Sequence, residues 1–149
     1  VDFPHFDPIF HNAFSSFGGQ PFDVGLYPPG TSRSVTFKRE GIVRVFCNIH
    51  PTMSAVIAVL NTSWFAVTGR DGSYRINDVP AGEYEIHFFH ERATEDTLNQ
   101  MSRKLRVQAA DESVPAMAIS EAAYLPTPHK NKYGKDYPPP SDEAQGYRR

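Results

Sequence analysis

The chain has 149 residues, 40% of them hydrophobic and 13% aromatic, enough apolar surface for the core of one domain or two small ones. Fifteen basic against seventeen acidic side chains leave a net charge of −2, which excludes the clustered-cation footprint of a nucleic-acid binder. The single cysteine excludes an internal disulfide, and the longest apolar run, SAVIAVL at 54–60, is far too short to cross a bilayer.

Thirteen prolines and ten glycines cut the sequence into short stretches, which points to an all-β fold. SVTFK at 34–38 alternates polar and apolar residues as a half-buried strand does, and GIVRVF at 41–46 is the next strand, with Arg39–Glu40–Gly41 as the turn between them. SAVIAVL reads as a strand buried on both faces. WFAVT at 64–68 is a further strand, followed by a tight turn at GRDG, 69–72. SYRI at 73–76 and EYEIHFF at 83–89 alternate on either side of the loop NDVPAG, and Asp-Gly ahead of an alternating strand is a hairpin signal. Residues 91–102 are the best helical or irregular insert, and 104–108 and 114–119 supply two closing strands. The last thirty residues, rich in Pro, Lys, Tyr and Gly, cannot bury enough surface to offset their own ordering entropy. That tail is expected to be disordered or laid along another surface, and it starts a third region at 120–149. The chain opens on Val1 without a signal-peptide pattern, as a processed or trimmed product would.

The chemistry concentrates in CNIHPTM, 47–53, directly after GIVRVF. Cys47, His50 and Met53 place a thiol, an imidazole and a thioether at three-residue spacing in one loop between strands. Two histidines and a cysteine in a trigonal arrangement, with a weak axial methionine, form the donor set of blue copper. The second histidine must come from elsewhere in the chain. His11, in FPHFDPIFHNAFS, is the favoured donor, and Asn12 beside it can hydrogen-bond the ligand loop and hold its backbone. His5 is the competing donor, just after a proline at what reads as a strand end.

These residues carry a family resemblance. FPHFDPIFHNAFS followed by FDVGLYPPGTSRSVTFKREGIVRVFCNIHPTM resembles the ligand-bearing half of a cupredoxin, the Greek-key β-sandwich of plastocyanin, pseudoazurin and amicyanin. The short C-x2-H-x2-M spacing, with proline directly after the histidine, is most similar to amicyanin. HNxFS, FDxGxY and CNIHPxM are similar to motifs of bacterial periplasmic proteins labelled methylamine-utilisation or plastocyanin-like. The resemblance implies one type 1 copper, with His11, Cys47 and His50 as strong ligands, Met53 as the axial ligand, and Asn12 and Asn48 around them. For Asn48 it implies a backbone N–H near the thiolate. It also implies a periplasmic location. The N-terminal strands of a complete cupredoxin are absent from 1–60, so the sandwich is expected to be short of them. TGRDGSYRINDVPAGEYEIHFFHE is similar to the hairpin of transthyretin-type, carboxypeptidase regulatory-like domains, which makes 61–119 a second β region, packed on the first or completing it, with a structural or adhesive role.

Other features read more simply. His87 and His90, three apart on a strand, face opposite sides and do not share a metal. Phe3, Phe6, Phe10, Phe14 and Phe17 read as core and site shielding, a few of them forming the apolar patch through which cupredoxins dock.

The leading function is single-electron transfer between redox proteins, a c-type cytochrome, a dehydrogenase or a membrane-bound electron-transfer complex, and the resemblance implies His50, on its loop, as the point where electrons enter. The alternative is a cupredoxin-like accessory subunit of a larger extracytoplasmic assembly, with or without copper, its tail docked on a partner protein. An enzyme with Cys47 as nucleophile and His50 or His11 as base ranks last. No oxyanion hole or orienting group is evident for it, and Met53 has no part in it.

Overall fold

His11–Ser15, a strand carrying a histidine, an asparagine and a serine, is buried at every position. A computed structural model describes residues 1–16, 20–108, 113–125 and 128–139 of the chain. Phe17 and residues 140–149 of the tail lie outside the described residues. The described part is mostly strands in antiparallel sheets, with one short helix, and it divides into two units. One comprises Val1–Asn61 together with the segment from Pro128; the other is Thr62–Thr127.

The first unit is built on six strands. They are β1 (Asp2–Pro4), β2 (His11–Ser15), β3 (Phe22–Tyr27), β4 (Ser32–Ser34), β5 (Gly41–Phe46) and β6 (Ser54–Val59). Four of them form a sheet in the order β3-β2-β5-β6, and β1 pairs with β4 as a separate ribbon. Ala13, Val43 and Val45 form the buried centre, and Phe3 of β1 packs on it with Phe22, Val24, Phe37, Ile57 and Val59. The ribbon thus contributes to the same core as the sheet, in a sandwich-like arrangement. Alternation along β5 puts Val43, Val45 and then Cys47 on this core face, while Phe46 faces the other way beside Phe14 at 6.0 Å.

The pairing of β2 with β3 slips between Asn12 and Phe14, so that three steps of β3 oppose two of β2. Gly25 sits in this bulge at φ +69°, where a side chain would be strained. Its N–H is held by the Asp23 carboxylate at 2.8 Å.

Two expectations for this unit change. The strand expected at 34–38 is β4, Ser32–Ser34. SAVIAV forms β6 but is not buried on both faces: it lies at the sheet edge, and its residues are exposed or half-buried. The central place belongs to β2, whose polar side chains find partners inside.

The second unit holds β7 (Gly82–Ile86), α1 (Glu95–Met101) and β8 (Arg103–Val107). β7 and β8 are antiparallel, with Glu83 opposite Arg106 and Glu85 opposite Lys104, pairs that favour this register. Thr94 caps α1 by accepting the Thr97 N–H at 3.2 Å, and Glu95 and Asp96 complement the dipole in the first turn. The Gly69–Gly72 turn forms, closed by a 2.8 Å bond from the Gly69 N–H to the Ser73 carbonyl. The strands expected at 64–68, 73–76 and 114–119 do not: those residues are extended or irregular, outside any ladder among the described residues. Alternation makes a strand only where a partner supplies hydrogen bonds, and β7 takes β8 as its partner.

Candidate metal centre

β5 and β6 form a hairpin in which Phe46 opposes Ser54, so residues 47–53 are its loop. The Cys47 N–H donates to the Met53 carbonyl at 3.3 Å, and the Met53 N–H donates to the His50 carbonyl at 3.1 Å. The loop therefore folds tightly on itself, and His50 Nδ1 comes to 3.5 Å from Cys47 Sγ. His11 enters from the neighbouring strand β2 on the same face, its Nδ1 4.0 Å from the same sulfur. One donor atom from each of the three residues lies within 4.8 Å of the others. Imidazole and thiolate donors bound at about 2.0–2.3 Å around one ion sit roughly 3.3–3.9 Å apart, so the three donors lie at or somewhat beyond that spacing, close enough to be compatible with a metal ion. His11, Cys47 and His50 are the one such group among the described residues.

The protonation pattern agrees with that use. His11 Nε2 lies 2.8 Å from Asp7 Oδ2. A carboxylate only accepts, so Nε2 carries a proton and donates to it, which orients the ring with Nδ1 on the side of the sulfur. Burial, and then the neighbouring His11, hold the His50 pKa below its ordinary value, against the pull of Asp7. His50 is therefore neutral and able to ligate near pH 7.

Met53 lines the same cavity as His11 and Cys47 and is 40% exposed. His5 lines it too. Its ring is 3% exposed and stands edge-on to His11 at 4.7 Å and to Tyr27 at 5.2 Å, and neither of its nitrogens has a protein partner. It is not among the three residues whose donors converge.

Asn12 points to the opposite face of β2. Its Nδ2 donates to Asp23 Oδ1 at 2.7 Å, and its Oδ1 accepts the Asn48 backbone N–H at 3.2 Å. Asn12 thereby ties the ligand loop to the sheet, and the Asn48 N–H is engaged with it.

Residues 128–139 lie along the same loop, a placement that no short-range pattern in the tail signals. His129 stacks on Phe46 with ring centroids 4.0 Å apart and an interplanar angle of 21°, and its Nε2–H donates to the Pro51 carbonyl at 2.8 Å. The Lys132 N–H donates to Asn48 Oδ1 at 3.0 Å, and its ammonium pairs with Asp23 at 2.7 Å. The Tyr137 hydroxyl donates to the Cys47 carbonyl at 2.8 Å. Burial, and then Cys47 nearby, raise the Tyr137 pKa, so the phenol keeps its proton. Asp7, Asp23, His129, Lys132 and Tyr137 were not singled out in the sequence. Of these only Asp7 lies close in sequence to one of the three converging residues, one short loop before His11.

His87 and His90 share nothing: His87 Nδ1 meets the Ser102 hydroxyl at 2.9 Å, and His90 lies 3.6 Å from Glu121. No described helix is long and apolar enough to cross a membrane. No protein-family model matches the chain, and neither a curated protein nor a solved structure matches it.

Proposed function

We propose that this chain is a cupredoxin-like electron-transfer protein in which His11, Cys47 and His50 would hold one type 1 copper, with Met53 as a further, weaker donor. The observation that carries the reading is the pair of imidazole Nδ1 atoms at 4.0 and 3.5 Å from a single buried thiol sulfur. Copper bound there would supply a one-electron couple, which two imidazoles and a thiolate suit better than a purely oxygen-donor ion. The chain's own part is to keep those donors in place. Cys47 is buried and tied through its backbone to Met53, His11 is locked by Asp7, and Asn12 anchors the loop to the sheet. Donors held in this way need little rearrangement when the charge at the site changes by one. His50, half-exposed on the loop, is the route by which an electron reaches the site from outside.

The partner on this reading is another redox protein, and the location is extracytoplasmic, as in the proteins the motifs resemble. Stopped-flow mixing of the Cu(II)-loaded chain with a reduced c-type cytochrome tests it. The expected result is oxidation of one cytochrome per chain, with the metal-free chain inert. A loaded chain that oxidises cytochrome no faster than the metal-free control would leave the accessory-subunit reading in its place.

A further inference from the structure

The segment Pro128–Pro139 carries no helix or strand, yet it meets the loop at Cys47, Asn48 and Pro51 and covers Phe46 just before it. His129 covers Phe46 with its ring and bonds the Pro51 carbonyl, Lys132 bonds the Asn48 side chain, and Tyr137 bonds the Cys47 carbonyl. Lys132 also fastens the segment to Asp23, the carboxylate that receives Asn12. The contacts bracket the donor Cys47 on both sides in sequence and reach the residue after the donor His50. Tyr137 and His129 brace each other, with the Tyr137 oxygen 3.3 Å from His129 Nδ1 and the rings edge-on at 5.2 Å.

We infer that Pro128–Pro139 is a strap over the metal loop and that Tyr137 is a positioning residue for the Cys47 thiolate. This rests on the copper reading above. A surface segment that only needed anchoring would be served by the Lys132–Asp23 pair and the His129 stack. Tyr137 does something those contacts do not: it places the positive end of an O–H dipole against the backbone of the thiolate donor. The reduced site carries one more negative charge than the oxidised site. A donor dipole aimed at its ligand backbone therefore favours the reduced form, and its field is strong where water is excluded. Tyr137 thus fixes the loop and biases the potential upward, while Lys132 and His129 hold the strap in register.

The test uses the full chain, loaded with one equivalent of Cu(II), as wild type, Tyr137→Phe and Tyr133→Phe. Tyr137→Phe keeps the ring and the fold and loses only the hydroxyl. It is expected to lower the Cu(I)/Cu(II) affinity ratio about fivefold, a potential about 40 mV lower at 59 mV per decade for one electron. The thiolate-to-copper absorption band is expected to move with it. Tyr133→Phe makes the same change at a residue of the strap that is 70% exposed and is expected to leave band and potential at wild-type values. A Tyr137→Phe chain with wild-type band and potential would overturn the assignment, as would equal shifts in both variants. If the wild type itself takes up no copper, the copper reading and this inference fall together; if only the variants disagree with expectation, the inference alone falls.

Discussion

Asn12 and Asn48, thirty-six residues apart, are joined by a 3.2 Å hydrogen bond from the Asn48 backbone N–H to the Asn12 side-chain oxygen. Asn12 is 4% exposed and also donates to Asp23. It is the point where the sheet, the ligand loop and, through Asp23 and Asn48, the strap are tied together. Asn12→Ala strands a loop N–H and removes a donor from a carboxylate. It is expected to destabilise the metal-free chain by about 1–3 kcal/mol in urea unfolding. A loss within experimental error of zero would show that the loop stands without this tie.

Asp7 acts on His11 and not on the fold. Its side chain is 63% exposed and is bonded to His11 Nε2. Asp7→Ala is expected to weaken Cu(II) binding about 10–100-fold while leaving the far-ultraviolet circular dichroism unchanged. Competition against a chelator measures it, and unchanged affinity would mean that the His11 ring is oriented by packing alone.

The Asp23–Lys132 pair sets a pH window for the strap. Burial alone would raise the Asp23 pKa, but hydrogen bonds from Lys132, the Gly25 N–H and Asn12 outweigh it and hold the carboxyl below its ordinary 3.8. A lowered acid contributes stability above its unfolded value and loses it as pH falls through the lower, folded value. Lys132 is raised above 10.5, chiefly by its bond to Asp23, so its contribution is present below that value and disappears as pH rises beyond it. The difference in urea midpoint between wild type and Lys132→Met should therefore be flat from about pH 5 to 9 and shrink toward zero in acid below 3.8. A difference that persists undiminished at pH 2 would contradict the ion-pair origin.

Met53 offers a graded test at the site. Met53→Leu keeps the loop's backbone bonds and removes only the thioether. Copper should still bind, and the potential should rise, because Cu(II) gains more than Cu(I) from a further electron donor and so loses more when it is removed. Voltammetry of the loaded variant decides it; an unchanged potential would show that the Met53 sulfur is not a ligand.

Much of the centre was legible because it is local. CNIHPTM is a hairpin loop whose flanking strands, Gly41–Phe46 and Ser54–Val59, announce themselves by apolar content, and its spacing alone brings Cys47 and His50 together. His11 was legible less from its surroundings than from its resemblance to a known ligand motif. Burial was harder to see. β2 is the strand buried throughout, despite His11, Asn12 and Ser15, because its polar groups are satisfied internally, whereas the wholly apolar-looking SAVIAV lies at the edge. The strap was least legible of all. Tyr137 reaches Cys47 across ninety residues, and a Pro- and Lys-rich stretch gives no periodic signal of what it covers. Its order comes from specific polar partners on one loop and not from an apolar face of its own.

The most direct measurement is the visible absorption spectrum of the wild-type chain and of Cys47→Ala, each titrated with Cu(II) and analysed for bound metal. The account predicts an intense thiolate-to-copper band that saturates at one equivalent in the wild type and is missing from Cys47→Ala. A folded wild type that stays colourless, or a band that survives loss of Cys47, would contradict it.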